Sequence, residues 1–370
     1  MKIKTQKQEL INKIQTIQNI ITTKSSLPIL SNMLLEAQKD KLRLTATDLD
    51  IGITCAMPVN ILEAGAITIP AKRFSDIIKE LPEEDVEINT RKNNLVNIET
   101  KSCQFKIMGA PAEEFPKLPE FQNIEVIKLD QADLKKMLSL TSFAVSLDET
   151  RYVLNGILLK IQNNNLDLVA TDGRRLALAE KKLPQGLNKE IHIIIPIKTI
   201  HELNRNLKDE GELSLILGAN QVLLELDDTA IISRLIEGQF PDYQQVIPPV
   251  SPNKIKVDRQ LFLMAVKRAA LLSTPDYQAV KLEVFPAKGA GAEAKLVVSK
   301  STPDVGESRE ELNVAYGGKE MAIGFNPHYL TDVLKNVDED TIEFEMTDSD
   351  KPGVLRSEGY VYIVLPMRLG

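Results

Sequence analysis

A short amphipathic pattern occurs three times along the chain, in segments 69–85, 195–211 and 325–340. Each segment has a proline, then apolar residues at the spacing i, i+3, i+4, i+7, and then an acidic end. The apolar positions are Phe74, Ile77, Ile78 and Leu81 in the first segment, Ile200, Leu203 and Leu207 in the second, and Leu330, Val333, Leu334 and Val337 in the third. This spacing predicts a short helix with one buried face. Successive copies lie roughly 130 residues apart, too far for a solenoid repeat of about 20–50 residues, so a whole domain is repeated.

A second helical pattern opens each repeat. Its apolar positions are Leu10, Ile14, Ile17 and Ile21 in the first repeat, Leu134, Met137, Leu138 and Thr141 in the second, and Phe262, Ala265, Val266, Ala269 and Leu272 in the third. Asp130 or Asp133 is expected to cap this helix in the second repeat, and Asp258 in the third. Both helices therefore recur in register.

Between the helices the sequence alternates with period two, which predicts half-buried strands. Segments 41–48 and 166–172 end in the same Thr-Asp turn, whereas segment 295–304 keeps the strand pattern without that ending. Each repeat therefore predicts an α+β domain whose helices cover one face of an antiparallel sheet.

Proline-rich stretches at 109–123 and 237–253 predict extended connectors between the domains, because proline cannot donate to a strand ladder. They share a Phe-Pro pair, Phe115-Pro116 and Phe240-Pro241. The predicted domains are 1–123, 124–252 and 253–370. The Gly- and Ala-rich stretch 287–295 is expected to be a hairpin loop.

Composition narrows the classes of function. The formal net charge of −7 argues against a uniformly basic nucleic-acid surface but permits a local basic one. The chain has no run of 18 apolar residues, its first residues lack the apolar core of a signal peptide, and its two cysteines, Cys55 and Cys103, have no CxxC spacing. We therefore expect no membrane span and a reducing, cytoplasmic location.

Catalytic signatures are mostly missing from the sequence. The three histidines, His192, His201 and His328, are too scattered for a metal site, and phosphate-binding or nucleophile motifs do not occur. The strongest catalytic candidate is Asp172 in ATDGRRLAL, with Asp48 at the matching position of the first repeat. Because the pattern recurs, a turn-closing role is favoured over catalysis. We expect a noncatalytic protein without metal or cofactor.

Basic residues are frequent on the predicted helices: Lys13, Lys24, Lys72, Arg73, Lys79, Lys135, Lys136, Lys198, Arg205, Lys267, Arg268 and Lys335. Each by itself is consistent with an ordinary solvated helix face. If equivalent helices share one surface, however, their side chains would form a basic lining that contacts phosphates without reading sequence.

The triplicated α+β pattern occurs together with LPILSNMLLE, RYVLNGILL, ATDGRRLAL, EGQFPDYQQVIP and the terminal YVYIVLPMRLG. With these motifs, in order and over its full length, the chain resembles the bacterial DNA sliding clamps, the beta subunits of DNA polymerase III. The resemblance implies a homodimer of three-domain chains that closes a six-domain ring around double-stranded DNA, with helices lining the hole. Such a ring confers processivity on the replicative polymerase without catalysing a reaction.

The resemblance also implies functional residues. A pocket for partner peptides is expected from Arg151, Leu154, Thr171, Gly173, Arg174, Arg175, Leu176, Pro241, Val246, Ile363, Leu365, Pro366, Met367 and Arg368. Its expected partners are the polymerase alpha subunit, the clamp-loader delta subunit, other polymerases and repair proteins. Lys24, Arg73 and Lys198 are expected to face DNA, and Phe105 and Ile107 to meet Leu271 and Leu272 of a second chain.

The sequence departs from the family at Arg174, where some relatives have histidine, at Asp148, where an uncharged residue can contact DNA, and in the stretch 287–295. Two alternatives remain at this point. One is an enzyme that uses Asp172 or Asp48 on the repeated scaffold, and the other is a protein scaffold that does not bind DNA.

Overall fold

A computed structural model describes residues 1–21, 27–121, 125–183, 190–288 and 292–369. The six α-helices in these ranges are α1 (Lys7–Ile17), α2 (Ala71–Glu80), α3 (Gln131–Thr141), α4 (Ile197–Asn206), α5 (Arg259–Ala270) and α6 (Pro327–Asn336). Strands of the first repeat are β1 (Lys2–Gln6), β2 (Asn32–Gln38), β3 (Lys41–Thr47), β4 (Ile51–Pro58), β5 (Asn60–Glu63), β6 (Gly65–Pro70), β7 (Asp85–Thr90), β8 (Leu95–Glu99) and β9 (Gln104–Met108). Those of the second are β10 (Val126–Asp130), β11 (Gly156–Gln162), β12 (Asn165–Thr171), β13 (Arg175–Lys182), β14 (Ile191–Pro196), β15 (Glu212–Leu217), β16 (Gln221–Leu226) and β17 (Thr229–Arg234). Those of the third are β18 (Lys254–Asp258), β19 (Val280–Phe285), β20 (Ala294–Thr302), β21 (Gly306–Val314), β22 (Met321–Phe325), β23 (Thr341–Glu345), β24 (Gly353–Ser357) and β25 (Tyr360–Val364).

The chain divides into two compact units. Unit 1 contains Met1–Lys135 and Lys198–Leu235, and unit 2 contains Lys136–Ile197 and Ile236–Gly370. Unit 1 holds a five-stranded sheet, β5-β1-β7-β8-β9, and an eight-stranded sheet, β10-β15-β16-β17-β4-β3-β2-β6. Unit 2 holds an eight-stranded sheet, β14-β11-β12-β13-β25-β24-β23-β18, and a four-stranded sheet, β21-β20-β19-β22. The middle repeat thus contributes strands to both units.

The same strand order recurs in every repeat, which confirms the predicted triplication and the α+β class. The sets β1-β7-β8-β9, β10-β15-β16-β17 and β18-β23-β24-β25 correspond, and so do β6-β2-β3-β4, β14-β11-β12-β13 and β22-β19-β20-β21. Each repeat therefore has two antiparallel four-stranded sets rather than the one sheet expected. The alternation along the sequence reveals which residues of a strand are buried but not which strand lies beside it.

The helical spacing correctly identified the buried faces. Phe74 and Ile78 of α2 are fully buried, and Leu330 and Leu334 of α6 are 1% exposed. In unit 1, α1 packs on β3 and β4, and α2 packs on β2 and β6. Among the described residues, the predicted apolar positions that are only half-buried are Ile77 of α2, and Ile21 and Leu272, which lie beyond the ends of α1 and α5.

The helix caps are set by short polar side chains. Asp130, rather than Asp133, precedes α3, and its Oδ1 accepts a hydrogen bond from the backbone N of Asp133 at 2.9 Å. Asp258 caps α5 in the same way, accepting from the backbone N of Leu261 at 2.7 Å. Such caps satisfy amide donors that have no partner within the helix.

The glycine-rich stretch joins two strands of a hairpin, because β19 and β20 pair antiparallel with Phe285 opposite Lys295. Residues 289–291 of that stretch lie outside the described residues. None of the described helices is both long enough and apolar enough to cross a bilayer.

Candidate functional site

The Thr-Asp turn between β12 and β13 lies at the centre of the predicted pocket in unit 2. The Oγ1 of Thr171 donates to the carbonyl of Arg175 at 2.6 Å and accepts from the backbone N of Gly173 at 3.0 Å. The Oδ1 of Asp172 accepts from the backbone N of Arg174 and of Arg175, at 2.8 and 3.0 Å. Gly173 has a φ of +83°, a left-handed conformation that glycine adopts without strain.

The first repeat builds the same turn from Thr47 and Asp48. The Oγ1 of Thr47 donates to the carbonyl of Ile51 at 2.9 Å, and Asp48 Oδ1 accepts from the backbone N of Asp50 and of Ile51. Both aspartates therefore close turns, as the recurrence predicted. Their carboxylates are occupied by hydrogen bonds that maintain the backbone, which removes the observation that favoured an enzyme.

Arg175 connects this turn to α6. Its Nε donates to Asp172 Oδ2 at 3.0 Å, its Nη1 donates to Asp332 Oδ2 at 2.6 Å, and its Nη2 donates to the carbonyl of Phe143. The guanidinium also lies 4.4 Å from the ring centroid of Tyr329. Because the side chain is only 10% exposed and all three nitrogens donate within unit 2, Arg175 positions the pocket rather than offering it a free donor.

Beneath the predicted pocket lies an apolar cluster built on the pairing of β13 with β25. Leu176 stands opposite Ile363 in this pairing, and both predicted residues belong to the cluster. The other buried members are Leu158, Val169, Leu178, Ile194, Tyr243 and Val354. These six were not identified from the sequence.

Tyr243 holds the proline-rich connector against this cluster. Its hydroxyl donates to Asp167 Oδ2 at 3.3 Å. Burial raises the pKa of Tyr243 to about 12, so it remains a neutral donor at ordinary pH. Burial also raises the pKa of the Asp167 carboxyl. The sequence signal that could have identified Tyr243 is its place three residues after Phe240, where Leu118 follows Phe115 in the first repeat.

Exposed apolar and basic side chains lie around this cluster. Val246 is 56% exposed and Leu365 is 44% exposed, which leaves apolar surface available to a ligand. Arg174, Pro241 and Arg368 are also exposed. Exposed apolar groups surrounded by charged side chains are typical of a surface that binds a partner.

The chain end is fixed by two backbone hydrogen bonds. The backbone N of Leu365 donates to the carbonyl of Arg174 at 2.9 Å, and that of Met367 donates to the carbonyl of Gly324 at 2.8 Å. Pro366 lies between them and is half-buried. Met367 and Arg368 line a cleft of about 900 Å³ together with residues of the four-stranded sheet.

Arg151 and Leu154 belong to the 3₁₀ turn Glu149–Leu154. Arg151 donates through Nη1 to the carbonyl of Asp172 at 2.7 Å and through Nε to Asp148 Oδ2 at 3.0 Å. Leu154 is 7% exposed, so its side chain belongs to the interior. Asp148 caps the turn by accepting from the backbone N of Thr150, which gives this departure from the family a structural role.

The structure thus brings about half of the predicted pocket residues together through the turn and the strand pairing, whereas Met367 and Arg368 line the cleft beside the four-stranded sheet. Thr171, Gly173 and Arg175 share the turn, Leu176 and Ile363 share the cluster, and Arg174 bonds Leu365. Two predicted residues are peripheral to these contacts. Val246 belongs to a separate 3₁₀ turn, Tyr243–Val246, and Leu154 lies inside unit 2.

Of the residues expected to face DNA, Arg73 on α2 and Lys198 on α4 are exposed, and Lys24 lies outside the described residues. Lys198 is paired with Asp48. Five further predicted helix cations are also in ion pairs: Lys13, Lys135, Lys136, Arg205 and Arg268. Of the predicted helix cations in the described part of the chain, those without an ion pair are Lys72, Arg73 and Lys79 of α2, Lys267 of α5 and Lys335 of α6. The free positive charge is therefore concentrated on α2.

The residues expected at a subunit contact lie at or near sheet edges. Strand β9 forms one edge of the five-stranded sheet, and β21 forms one edge of the four-stranded sheet. Phe105 on β9 is 39% exposed, whereas Ile107 is only 6% exposed and packs under its own sheet. Leu271, just after α5, is 80% exposed, and Leu272 is half-buried.

The residues that the structure describes contain no group of three or more His, Cys, Asp or Glu side chains able to hold a metal ion.

Comparison with known proteins matches three consecutive family models along the chain. The N-terminal, central and C-terminal domains of the DNA polymerase III beta subunit match residues 1–119, 128–242 and 244–368. Among curated proteins, the chain is similar to the beta sliding clamp of Chlamydia pneumoniae, with 34% identity over 100% of this chain and 99% of that protein. It is also similar to the beta sliding clamp of Pseudomonas putida, with 33% identity over 98% and 99% of the two chains.

Solved structures show the same likeness over the full length. The DNA polymerase sliding clamp of Bacillus subtilis superposes with a TM-score of 0.93 at 31% identity, covering 100% of both chains. A sliding clamp from Pseudomonas aeruginosa bound to griselimycin gives the same TM-score, identity and coverage.

Proposed function

Because the chain belongs to the DNA polymerase III beta subunit family of bacterial sliding clamps, we propose that it encircles double-stranded DNA as a homodimer and binds partner peptides in the unit 2 pocket. It is a DNA sliding clamp that confers processivity on the replicative polymerase, and it is a noncatalytic subunit. The observation that carries the docking role is the pairing of β13 with β25. That pairing sets Leu176 beside Ile363 in an apolar floor near the exposed Val246 and Leu365.

Three domains per chain, 1–123, 124–252 and 253–370, would give a six-domain ring in the dimer. The strand order repeated three times supports this division. Edge strands invite pairing because their backbone groups lack partners, so β9 of one chain and β21 of a second are the proposed contact. Phe105 and Leu271 supply exposed apolar surface for it. A cytoplasmic location follows from the role in replication.

The proposed DNA-facing surface centres on α2. Its three unpaired cations, Lys72, Arg73 and Lys79, can attract phosphates at no cost in broken ion pairs. Lys198 already pairs with Asp48, so its net attraction for phosphate is weaker than that of Arg73. Such contacts do not read base sequence, which suits a ring that must slide.

The ring is tested by loading the protein onto a nicked circular plasmid. We expect stable retention on the circle and release when the plasmid is cut, because a ring can slide off the free ends of a linear DNA. Retention that survives linearisation would contradict encirclement.

The DNA-facing surface is tested by charge reversal. The triple variant Lys72→Glu, Arg73→Glu, Lys79→Glu should weaken binding and reduce its salt dependence, by up to about 0.9 in the log–log slope for each phosphate that is no longer neutralised. Lys128→Glu, in an exposed ion pair on β10, is the matched control. Unchanged DNA binding by the triple variant would place the DNA-facing surface elsewhere, and a wild-type protein that does not bind DNA would favour the protein scaffold.

The pocket is proposed to dock the polymerase alpha subunit, the clamp-loader delta subunit, other polymerases and repair proteins. Val246→Glu places a charge beside the apolar floor and should weaken binding of a labelled peptide from the carboxyl terminus of the alpha subunit at least about tenfold. Val250→Glu is the matched control, because Val250 lies in the same connector and is 64% exposed. Deleting Met367 to Gly370 should likewise abolish peptide binding and leave the dimer intact.

If Val246→Glu and the deletion both leave peptide affinity unchanged, the docking site lies elsewhere. Native dimer mass and native thermal unfolding are required of each variant, so that a loss of binding is not a loss of folding.

A further inference from the structure

Unit 1 contains a strand pairing with the same register as the one beneath the unit 2 pocket. In unit 1, β4 pairs with β17, and Gly52 lies opposite Ile232. In unit 2, Leu176 lies opposite Ile363 at the corresponding place. Both strands that enter these pairings, β4 and β13, follow a Thr-Asp turn with the same hydrogen bonds.

The backbone at the end of each pairing makes the same hydrogen bond in both units. The backbone N of Arg234 donates to the carbonyl of Asp50 at 2.9 Å, and that of Leu365 donates to the carbonyl of Arg174 at 2.9 Å. Arg234 therefore occupies the position in unit 1 that Leu365 occupies in unit 2. The two frameworks correspond residue by residue from the turn to the end of the paired strand.

A cleft of about 220 Å³ lies on this framework in unit 1. The lining residues that the argument uses are Leu49, Gly52, Pro116, Leu118, Ile232 and Arg234. Pro116 belongs to the Phe-Pro pair of the first connector, as Pro241 belongs to that of the second. The cleft is thus the counterpart of the predicted pocket.

The counterpart is partly filled by the chain itself. A Cβ added to Gly52 would come within 2.5 Å of Leu118 Cδ2, so the Leu118 side chain occupies the space that a side chain at position 52 would need. In unit 2 the side chain of the strand residue Leu176 occupies the corresponding space, and Tyr243 of the connector packs next to it. Because position 52 is a glycine, Leu118 of the connector can pack directly on the strand.

The surroundings of the cleft also differ in charge. Arg234 replaces the exposed apolar Leu365, and its Nη1 lies 3.8 Å from Oδ1 of Asp50, the residue that corresponds to Arg174. The cleft nevertheless keeps Leu49, 47% exposed, and Ile232 beside the space that Leu118 fills.

We propose that unit 1 contains a second apolar-peptide site of the same design, occupied by residues 116–119 of the chain itself, with Leu118 as the anchoring side chain. In the native protein the unit 2 site is open and the unit 1 site is filled, and removal of the Leu118 side chain opens the latter. This inference rests on the proposed docking function of the unit 2 pocket.

The test uses the full-length dimer carrying Val246→Glu, which weakens the unit 2 site, and the same alpha-subunit peptide as probe. Adding Leu118→Ala should increase affinity about tenfold or more over the Val246→Glu parent, because seating one leucine-sized side chain changes binding by about one to two orders of magnitude. Lys117→Ala, an exposed neighbour in the same connector, should give no gain.

A second variant covers the case in which Leu118→Ala fails to fold. Gly52→Ala keeps every native side chain, and the 2.5 Å approach of its Cβ to Leu118 Cδ2 forces the end of that side chain to shift from its position in the cleft. It should also increase affinity, but less than Leu118→Ala, since the new methyl group takes part of the space. No gain over the parent in any folded variant overturns the inference.

Different measurements would contradict the two proposals. A wrong docking assignment for unit 2 appears as undiminished peptide binding in the Val246→Glu parent. A wrong inference for unit 1 appears as no difference between that parent and its Leu118→Ala or Gly52→Ala derivative.

Discussion

At the scale of single residues, Arg175 shows how a predicted ligand-binding residue can act as a structural one. The resemblance placed it in the pocket beside Arg174, and the sequence RR offers no reason to distinguish the two. Burial distinguishes them, because Arg175 is 10% exposed and bonds Asp172, Asp332 and Phe143, whereas Arg174 is exposed. Contacts with α6 depend on the tertiary fold, so local sequence could not reveal this difference.

Replacing Arg175 by Met should therefore destabilise unit 2. The change leaves the carboxylates of Asp172 and Asp332 without their shared partner, and breaking a buried pair in this way costs about 3–5 kcal/mol. Arg175→Lys should recover only part of the stability, since an ammonium group cannot reproduce the planar fork. The measurement is urea unfolding, with Arg174→Met as the control, expected within about 0.5 kcal/mol of wild type. Equal stability of the Arg175 and Arg174 variants would refute the structural role.

Burial of Asp167 predicts that the stability contributed by this carboxyl falls as pH rises, the opposite of the effect of a carboxylate in an ion pair. Burial raises the pKa of this carboxyl, so the folded state binds its proton more tightly than the unfolded chain does. Its contribution to stability is fully present below the unfolded pKa of about 3.9 and is lost as pH rises through the folded value. Asp167→Asn keeps an acceptor for Tyr243 and removes this pH dependence.

The variant should thus lose less unfolding free energy than wild type between about pH 4 and about pH 7, measured by urea unfolding at each pH. Glu358→Gln, an exposed carboxylate of the same unit, controls for the change in net charge. A pH dependence identical to that of wild type would show that burial of Asp167 carries no ionisation cost.

At the scale of elements, the Thr-Asp turns of the first two repeats place different residues at their left-handed position. Gly173 has φ +83° in the second repeat, and Leu49 has φ +79° in the first. A left-handed conformation costs a residue with a side chain about 1–2 kcal/mol, which glycine avoids. Leu49 is 47% exposed and gains only part of the burial energy of a leucine.

The matched pair Leu49→Gly and Gly173→Ala tests this strain. Leu49→Gly should leave stability unchanged or raise it by up to about 1 kcal/mol. Gly173→Ala should lower stability by about 1–2 kcal/mol, and it should also weaken peptide binding, because the new Cβ would lie 2.9 Å from Arg151 Nη1. Thermal unfolding and peptide titration measure both effects. Destabilisation of similar size in the two variants would contradict the difference in strain.

Helices and strands were predictable from spacing alone where one face is buried, as Phe74 and Ile78 of α2 show. Strand partners were not, because β4 pairs with β17, a strand of the next repeat, and no local pattern signals that Cys55 lies opposite Thr229. The pocket shows the same limit. Leu176 and Ile363 came from the family resemblance, while Tyr243 has no periodic pattern and is signalled only by its spacing from Phe240, which does not reveal its contact with the sheet.

At the scale of the whole molecule, repetition accounts for the arrangement of the sheets and underlies the proposed ring. Each of the two eight-stranded sheets joins the middle repeat to one neighbour. The first and third repeats keep edge strands, β9 and β21, whose outer backbone groups have no strand partner among the described residues. The proposed dimer uses these edges, and the divergence at Gly52 and Leu118 distinguishes the two frameworks within the chain.

The edge contact predicts a difference between two apolar residues of the same five-stranded sheet. Phe105 lies on edge strand β9 and Leu62 on the opposite edge strand β5, with exposures of 39% and 55%. Phe105→Asp should weaken the dimer at least about tenfold, because an aspartate buried at a contact without a partner is costly. Leu62→Asp introduces the same charge away from the proposed contact and should leave the dimer unchanged. Sedimentation equilibrium of both variants measures the dimer affinity. Equal weakening would indicate a general effect of charge on the sheet. Weakening by Leu62→Asp alone would move the contact to the β5 edge.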